Sequence, residues 1–257
     1  MFDAVLQSRR ACLLWLVLLP AALAQAPAAQ EAPTSQEPAS LVARAAEMNG
    51  LGAPGAHPWH VQATYEMFDG DGKPIGTGTY EEWWAGPKKN KRIYRSTGFT
   101  QTVYATSSGL LRRDNPANPR IAELEVRHNL LRPIDEPTLE NYAFKIHETL
   151  QGETHLHCVE LGRKGWVPHT YCFGGDLPVL RATVSLGGAF QTIYNDVFAF
   201  DGRFVARDIR MVSGLKPFIH IHVEKIEALD TINDADFRPS PDLDPPPDQS
   251  GNRNPAP

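Results

Sequence analysis

The chain has 257 residues, 42% of them hydrophobic, with 22 prolines and a formal net charge of −5. A mildly acidic chain is not an electrostatic match for nucleic acid, so that partner class is excluded. Of its three cysteines none belongs to a C-x-x-C pair, which argues against a thiol-redox enzyme.

Residues 1–24 read as a signal peptide. Arg9 and Arg10 precede the apolar run "ACLLWLVLLPAALA", which Pro20 interrupts before a spanning length is reached. Small residues place cleavage after Ala24 or Ala26. The mature chain is therefore expected in the periplasm or secreted, with no integral span. Removing Asp3, Arg9 and Arg10 makes its net charge −6. Cys12 leaves with the signal, so Cys158 and Cys172 remain as an even pair in an oxidising compartment.

Residues 25–39 are rich in Ala, Pro, Gln and Ser and read as a disordered linker; the Pro-rich residues 238–257 read as a disordered tail. One folded domain is expected between them, over 40–237. It opens with a helix in "SLVARAAEMNGLG": Ser40 suits the N-cap, Leu41, Ala45 and Met48 share a face, and Gly50 suits the left-handed C′ position.

Strands follow. "WHVQATYEMF" alternates, with Val61, Ala63, Tyr65 and Met67 on one side. "GTGTYEEWW", "KRIYRS", "FTQTVYATS" and "GLLRRD" continue, separated by turn residues. The period then changes. Asn118 and Pro119 suit a helix start, Ile121, Leu124, His128 and Leu131 fall on one helical face, and Pro133 stops the pattern. A further helical turn fits "PTLENYA". Seven more strand-like runs extend from "FKIHETLQG" to "FIHIHVEKIEAL". The absence of βαβ alternation argues against a parallel α/β enzyme. The expected fold is mainly β (α+β): a long antiparallel sheet covered by two or three helices.

This order of elements, together with "GTYEEWWAGPKKNKRIY" and its Trp84–Pro87–Arg92 stretch, resembles the LolA/LolB-like lipoprotein-carrier superfamily. It also resembles periplasmic domains that precede TonB-type energy-transducer segments. The first resemblance implies an open half-barrel, a lipid or a lipidated protein as partner, and no cofactor. The apolar alternating positions Val61, Ala63, Tyr65, Phe99, Val103, Phe144, Ile146, Ile209, Met211, Ile219, Ile221 and Val223 would then face the concave side or the core. The same stripe serves a packed interior or a lipid-sized cavity, and periodicity does not distinguish them.

Adjacent strand residues face opposite ways, so Trp84 and Tyr80 are placed inside and Trp83 outside or on the rim. Trp84 is either a core residue under a helix or a ligand contact. The candidate ligand-binding set is Tyr65, Tyr80, Trp84, Phe99, Val103, Phe144, Ile219 and Ile221. Lys88, Lys89, Lys91 and Arg92 form a candidate basic rim, where an anionic head group would stay outside; they serve equally as a solubilising turn.

No catalytic or metal site is assigned. His155 with His157, and His220 with His222, have the i, i+2 spacing that lets strand histidines share a metal. No acidic residue stands between them on that face, so they read as exposed strand histidines. Glu81 and Glu82 oppose each other in direction and do not form an acid–base pair. No G-x-S-x-G and no Gly-rich phosphate loop is present. Cys158 and Cys172 lie in adjacent β-rich runs with arms of similar length to the turn, which predicts a cross-strand disulfide.

The leading expectation is an exported, non-enzymatic protein that binds a hydrophobic or lipidic ligand in a half-barrel. The alternatives are a periplasmic protein–protein interaction module of a TonB-type transducer system and a metal-dependent hydrolase.

Overall fold

Val61, Ala63, Tyr65 and Met67 are buried along one side of β1 (Trp59–Phe68), while Gln62, Thr64 and Glu66 are half-buried on the other. The same two-residue rhythm builds the rest of the protein. The computed structural model describes residues 36–52, 55–114, 121–134, 139 and 141–239. The expected signal peptide, its cleavage sites, most of the linker and nearly all of the tail lie outside these residues, as does most of "PTLENYA".

β1 is followed by β2 (Pro74–Trp84), β3 (Asn90–Ser96), β4 (Phe99–Thr106) and β5 (Gly109–Asp114). After the helical insert come β6 (Ala143–Gln151), β7 (Thr154–Gly162), β8 (His169–Gly174), β9 (Val179–Ser185), β10 (Phe190–Phe200), β11 (Arg203–Ser213) and β12 (Lys216–Ala228). All twelve form one antiparallel sheet in the order β5-β4-β3-β2-β1-β12-β11-β10-β9-β8-β7-β6. Each meander is a chain of hairpins, in which short turns bring neighbouring strands together. The two join where β12 returns to β1, with Tyr65 opposite Ile221 and Met67 opposite Ile219. The register slips between Gln62 and Ala63, leaving Glu224 as the extra residue of a bulge. β5 and β6 stand at opposite ends and do not pair, so the sheet stays an open half-barrel.

Two α-helices cover the concave face, α1 (Gln36–Met48) and α2 (Ile121–Leu131). α1 begins four residues before the expected Ser40 N-cap. Glu37 sits favourably in its first turn, and Pro38 is tolerated there because a first-turn N–H has no intrahelical partner. Pro38, Val42 and Ala45 are its buried residues, and the helix packs toward β6, β9 and β11. Asn49 fixes its far end: the amide donates to Ala45 O and Pro178 O, each at 2.8 Å, and accepts from Leu180 N at 2.9 Å.

The chain leaving α1 also caps α2. Leu51 N donates to Leu130 O at 3.0 Å, and Gly52 N to Leu131 O at 2.8 Å. These are carbonyls that a helix C-terminus leaves unpaired. Gly50 makes the approach possible. Its φ is +83°, and a Cβ would lie 2.6 Å from Leu131 O.

α2 has the expected helical period but a different buried face. Val126, Leu130 and the expected Leu131 are buried as apolar members, with Glu123 and Asn129 beside them. Leu124 is 51% exposed and His128 is exposed, although both belong to the face expected to turn inward. Charged residues of α2 find partners inside the half-barrel, and these outweigh the burial of one leucine.

Cys158 and Cys172 are directly opposite on β7 and β8 and form a disulfide. With Leu156 and Ala182 they make a small cluster separate from the main core. The bridge closes a loop of 14 residues, for which chain entropy sets an upper bound of about 3 kcal/mol. Strand pairing already restrains both ends, so reduction is expected to cost about 1–3 kcal/mol. Denaturant midpoints with and without reductant measure this, and thiol labelling of the unreduced, unfolded protein should find no thiol at either cysteine.

Candidate functional site

The site is the concave face beneath and beside α2. Its centre is closed by side chains that tie the helix to four strands. On β2, Glu82 is fully buried. Arg127 of α2 reaches it as a fork, with Nε 3.2 Å from Oε2 and Nη2 3.1 Å from Oε1. The Tyr80 hydroxyl donates to the same carboxylate. One turn earlier, Glu123 accepts from Ser96 Oγ at 2.8 Å and from the Tyr65 hydroxyl at 3.4 Å. Toward the other wing, the Tyr194 hydroxyl donates to Asn129 Oδ1 at 2.7 Å. The i, i+4 spacing of Glu123 and Arg127 puts both on one helical face, so one rigid element delivers opposite charges to neighbouring strands.

Burial raises the Tyr80 pKa well above the usual phenol value, and the charge of Glu82 adds to it. Burial likewise raises Tyr65, helped by Glu123, and Tyr194. Tyr94 is pushed up to about 12, mainly by burial. These phenols therefore remain protonated donors across the physiological range. Burial opposes the charge of Arg127, but Glu82 and the surrounding groups more than offset this and hold it firmly cationic.

Tyr65 folds across Gly78. A Cβ at that position would come 2.3 Å from the phenol ring, so the glycine provides the space that lets the Tyr65 hydroxyl reach Glu123.

α2 leaves an opening on each side. Toward the second meander, a cavity of about 400 Å³ is lined by Tyr171, Phe190, Met211, Phe218 and Tyr194, with Asn129 at its α2 wall. Toward the first meander, a cleft of about 500 Å³ runs between α2 and β2–β4.

All eight candidate ligand residues face the concave side. Tyr65, Tyr80, Trp84, Phe99, Ile219 and Ile221 belong to the main core, Phe144 packs against it, and Val103 is buried. Most of them form the packed floor under the helices. Trp84 lines the 500 Å³ cleft, and none of the eight lines the 400 Å³ cavity. The residues that do line that cavity come mostly from α2 and β8–β12, whose convergence no local pattern announces.

The basic rim divides. Lys88 is exposed at the turn. Lys89 pairs with Asp234 and lies 5.5 Å from the Phe237 ring centroid. Lys91 is on the convex face, over Trp83 at 5.0 Å and Tyr104 at 5.8 Å. Arg92 is on the concave side and lines the 500 Å³ cleft. Strand alternation separates neighbours that a linear reading groups together.

The convex face holds its own polar assembly. His60 lies between Glu81, 3.0 Å from Nε2, and Glu227, 2.9 Å from Nδ1. The Trp83 ring stacks on it at 4.5 Å. Glu81 also accepts from Gln62 at 2.9 Å. Burial opposes its charge, but these hydrogen bonds prevail and lower its pKa. Glu81 and Glu82 thus face opposite sides of β2, as their adjacency requires. The histidine pairs acquire acidic neighbours from adjacent strands: His157 meets Glu148 at 2.7 Å, and His220 meets Asp208. Among the described residues no three His, Cys, Asp or Glu side chains gather as a metal-ligand set.

The sequence matches no protein-family model, and no curated protein matches it. The fold has solved counterparts. A DUF1329 family protein from Desulfovibrio piger is 12% identical with a TM-score of 0.52, over 79% of this chain and 97% of that one. A putative outer membrane lipoprotein-sorting protein domain from Vibrio parahaemolyticus is 10% identical with a TM-score of 0.50, over 79% and 95%. A LolA superfamily protein from Nitrosomonas europaea is 13% identical with a TM-score of 0.47, over 81% and 99%. The first two of these structures share the fold of this chain. Among the described residues no helix is long and apolar enough to cross a membrane.

Proposed function

We propose that the protein is an exported, non-enzymatic carrier that holds a hydrophobic or lipidic ligand on the concave face. The observation that carries this reading is the 400 Å³ cavity beside α2, walled by Tyr171, Phe190, Met211 and Phe218. Its volume falls within the roughly 300–1,000 Å³ typical of small-molecule sites, and its aromatic and aliphatic walls suit an acyl or other hydrocarbon group, while Glu125, His128, Asn129 and His169 give it a polar side. The reading is supported by a fold shared with a putative lipoprotein-sorting domain. We read it as non-enzymatic because the charged groups at the centre of this face, buried Glu82 and Glu123 and half-buried Arg127, are engaged in holding α2. The periplasm or the extracellular space follows from the N-terminal segment, and residues 40–237 are the carrier domain.

Titration with a dansylated fatty acid tests the proposal. Fluorescence enhancement is expected with the wild-type protein, and Phe218→Asp should weaken binding by about tenfold or more, because it puts a charge in the apolar wall. Native mass spectrometry of the protein purified from its own envelope should show a copurifying lipid. No enhancement together with a ligand-free spectrum would overturn the carrier. It would favour the transducer-associated interaction module, for which the described sheet offers its open edges β5 and β6 to an added strand.

A further inference from the structure

We propose that the cleft between α2 and β2–β4 binds the anionic head group of an amphiphile, a phosphate or carboxylate, through Arg92 and Arg132. Arg92 comes from β3, and Arg132 directly follows the last turn of α2. Arg127 and His128 also line the cleft, and among the described residues no Asp or Glu does. Arg127 is already held by Glu82. The side chains of Arg92 and Arg132 form no ion pair or hydrogen bond with any other described residue; the hydrogen bonds of these residues are those of the backbone, such as Arg132 N to His128 O at 2.9 Å.

Several other basic side chains of this molecule do meet a carboxylate. The chain carries 30 acidic against 25 basic residues, and carboxylates are plentiful. Arg95, Lys145, Arg207, Lys216 and Lys225 each have a carboxylate partner within 3.4 Å. Two guanidinium groups lining one cleft with no such partner among the described residues leave a charge for a ligand to meet. The planar fork of arginine suits carboxylate and phosphate oxygens.

A second feature lies at the cleft wall. Asn90 is 2% exposed, and its Nδ2 donates to Gly86 O at 3.2 Å and to Pro87 O at 3.3 Å. Its Oδ1 is buried and accepts no hydrogen bond from any described residue. Unmet buried acceptors are uncommon and call for a donor. Trp84, Leu124 and Leu131 give the same cleft apolar walls. They account for the exposed position of Leu124 on α2, and they suit the start of a hydrocarbon chain.

The proposal rests on the carrier reading for the hydrocarbon part of the ligand and not for the anion. The experiment separates the two. Wild-type protein and the double variant Arg92→Gln/Arg132→Gln are titrated calorimetrically with lauroyl lysophosphatidic acid, lauroyl lysophosphatidylcholine and inorganic phosphate. Neither arginine side chain has a partner among the described residues, so the variant should keep the wild-type melting temperature. The wild type is expected to prefer the anionic lipid by roughly ten- to a hundredfold, and the variant should reduce that preference to near unity. Binding of inorganic phosphate that the variant abolishes, with no binding of either lipid, supports the anion site and removes the carrier. Equal binding of both lipids by both proteins overturns the anion site and keeps the carrier. Binding of none of the three probes overturns both.

Discussion

Replacing Arg127 with Ala should destabilise the fold by about 3–5 kcal/mol, the usual cost of stranding one partner of a buried ion pair. Glu82 has no exposed surface, and Arg127 supplies two of its hydrogen bonds. The Tyr80 hydroxyl remains but brings no positive charge. The loss should appear in the denaturant midpoint, with the slope of the transition unchanged. The double variant Glu82→Leu/Arg127→Met should recover much of it, because apolar side chains of similar size often replace a buried pair at little cost. A loss below about 1 kcal/mol in the single variant would place the pair among solvent-screened ion pairs and remove the reason for calling α2 clamped. In the carrier reading, Arg127 governs how firmly α2 sits between the two openings, so ligand affinity should change in the same variant.

Trp84→Ala should cost about 3–5 kcal/mol, whereas Trp83→Ala should cost about 1 kcal/mol. Trp84 is 7% exposed and stacks on Trp59 with ring centroids 5.7 Å apart and planes within 5°. Its removal opens a void in the main core, close to where Trp59 Nε1 donates to Leu51 O. Trp83 lies on the convex face between the His60 ring and the Lys91 ammonium, and its loss forfeits stacking and a cation–π contact on a half-exposed surface. Paired chemical denaturation of the two variants decides between the faces. Equal midpoints, or the reverse order, would show that the two sides of β2 are not energetically distinct in this way.

This pair also shows how much of the site is legible in the sequence. Adjacent residues of a strand must point to opposite sides, so the division between Trp83 and Trp84, and between Glu81 and Glu82, follows from strand geometry alone. The same rule, applied to the whole "KKNKR" run, divides the basic rim between two faces. Grouping that run as one patch treats charge as a property of a segment rather than of a face. α2 illustrates a different limit. Its period is readable, but its orientation is not, because ranking positions by hydrophobicity puts Leu124 inside and Glu123 and Arg127 outside. The opposite holds, since Ser96, Tyr65 and Glu82 give those two residues partners from three different strands.

The strands and hairpins, the cysteine pairing and the apolar stripe are all written in the amino-acid order, because each depends on contacts between residues close in the chain. Local alternation sets which side a side chain takes, and short turns set which strand it meets. The return of β12 to β1, the crossing of α2 over the concave face with an opening on either side, and the meeting of Arg92 and Arg132 in one cleft arise only in the folded molecule. Those outcomes join residues far apart in sequence, and they depend on a balance between burial and paired charge that composition and periodicity do not encode. An inward-facing stripe is the same whether the space above it is filled or left open, and the fit of the two helices against the sheet settles which occurs.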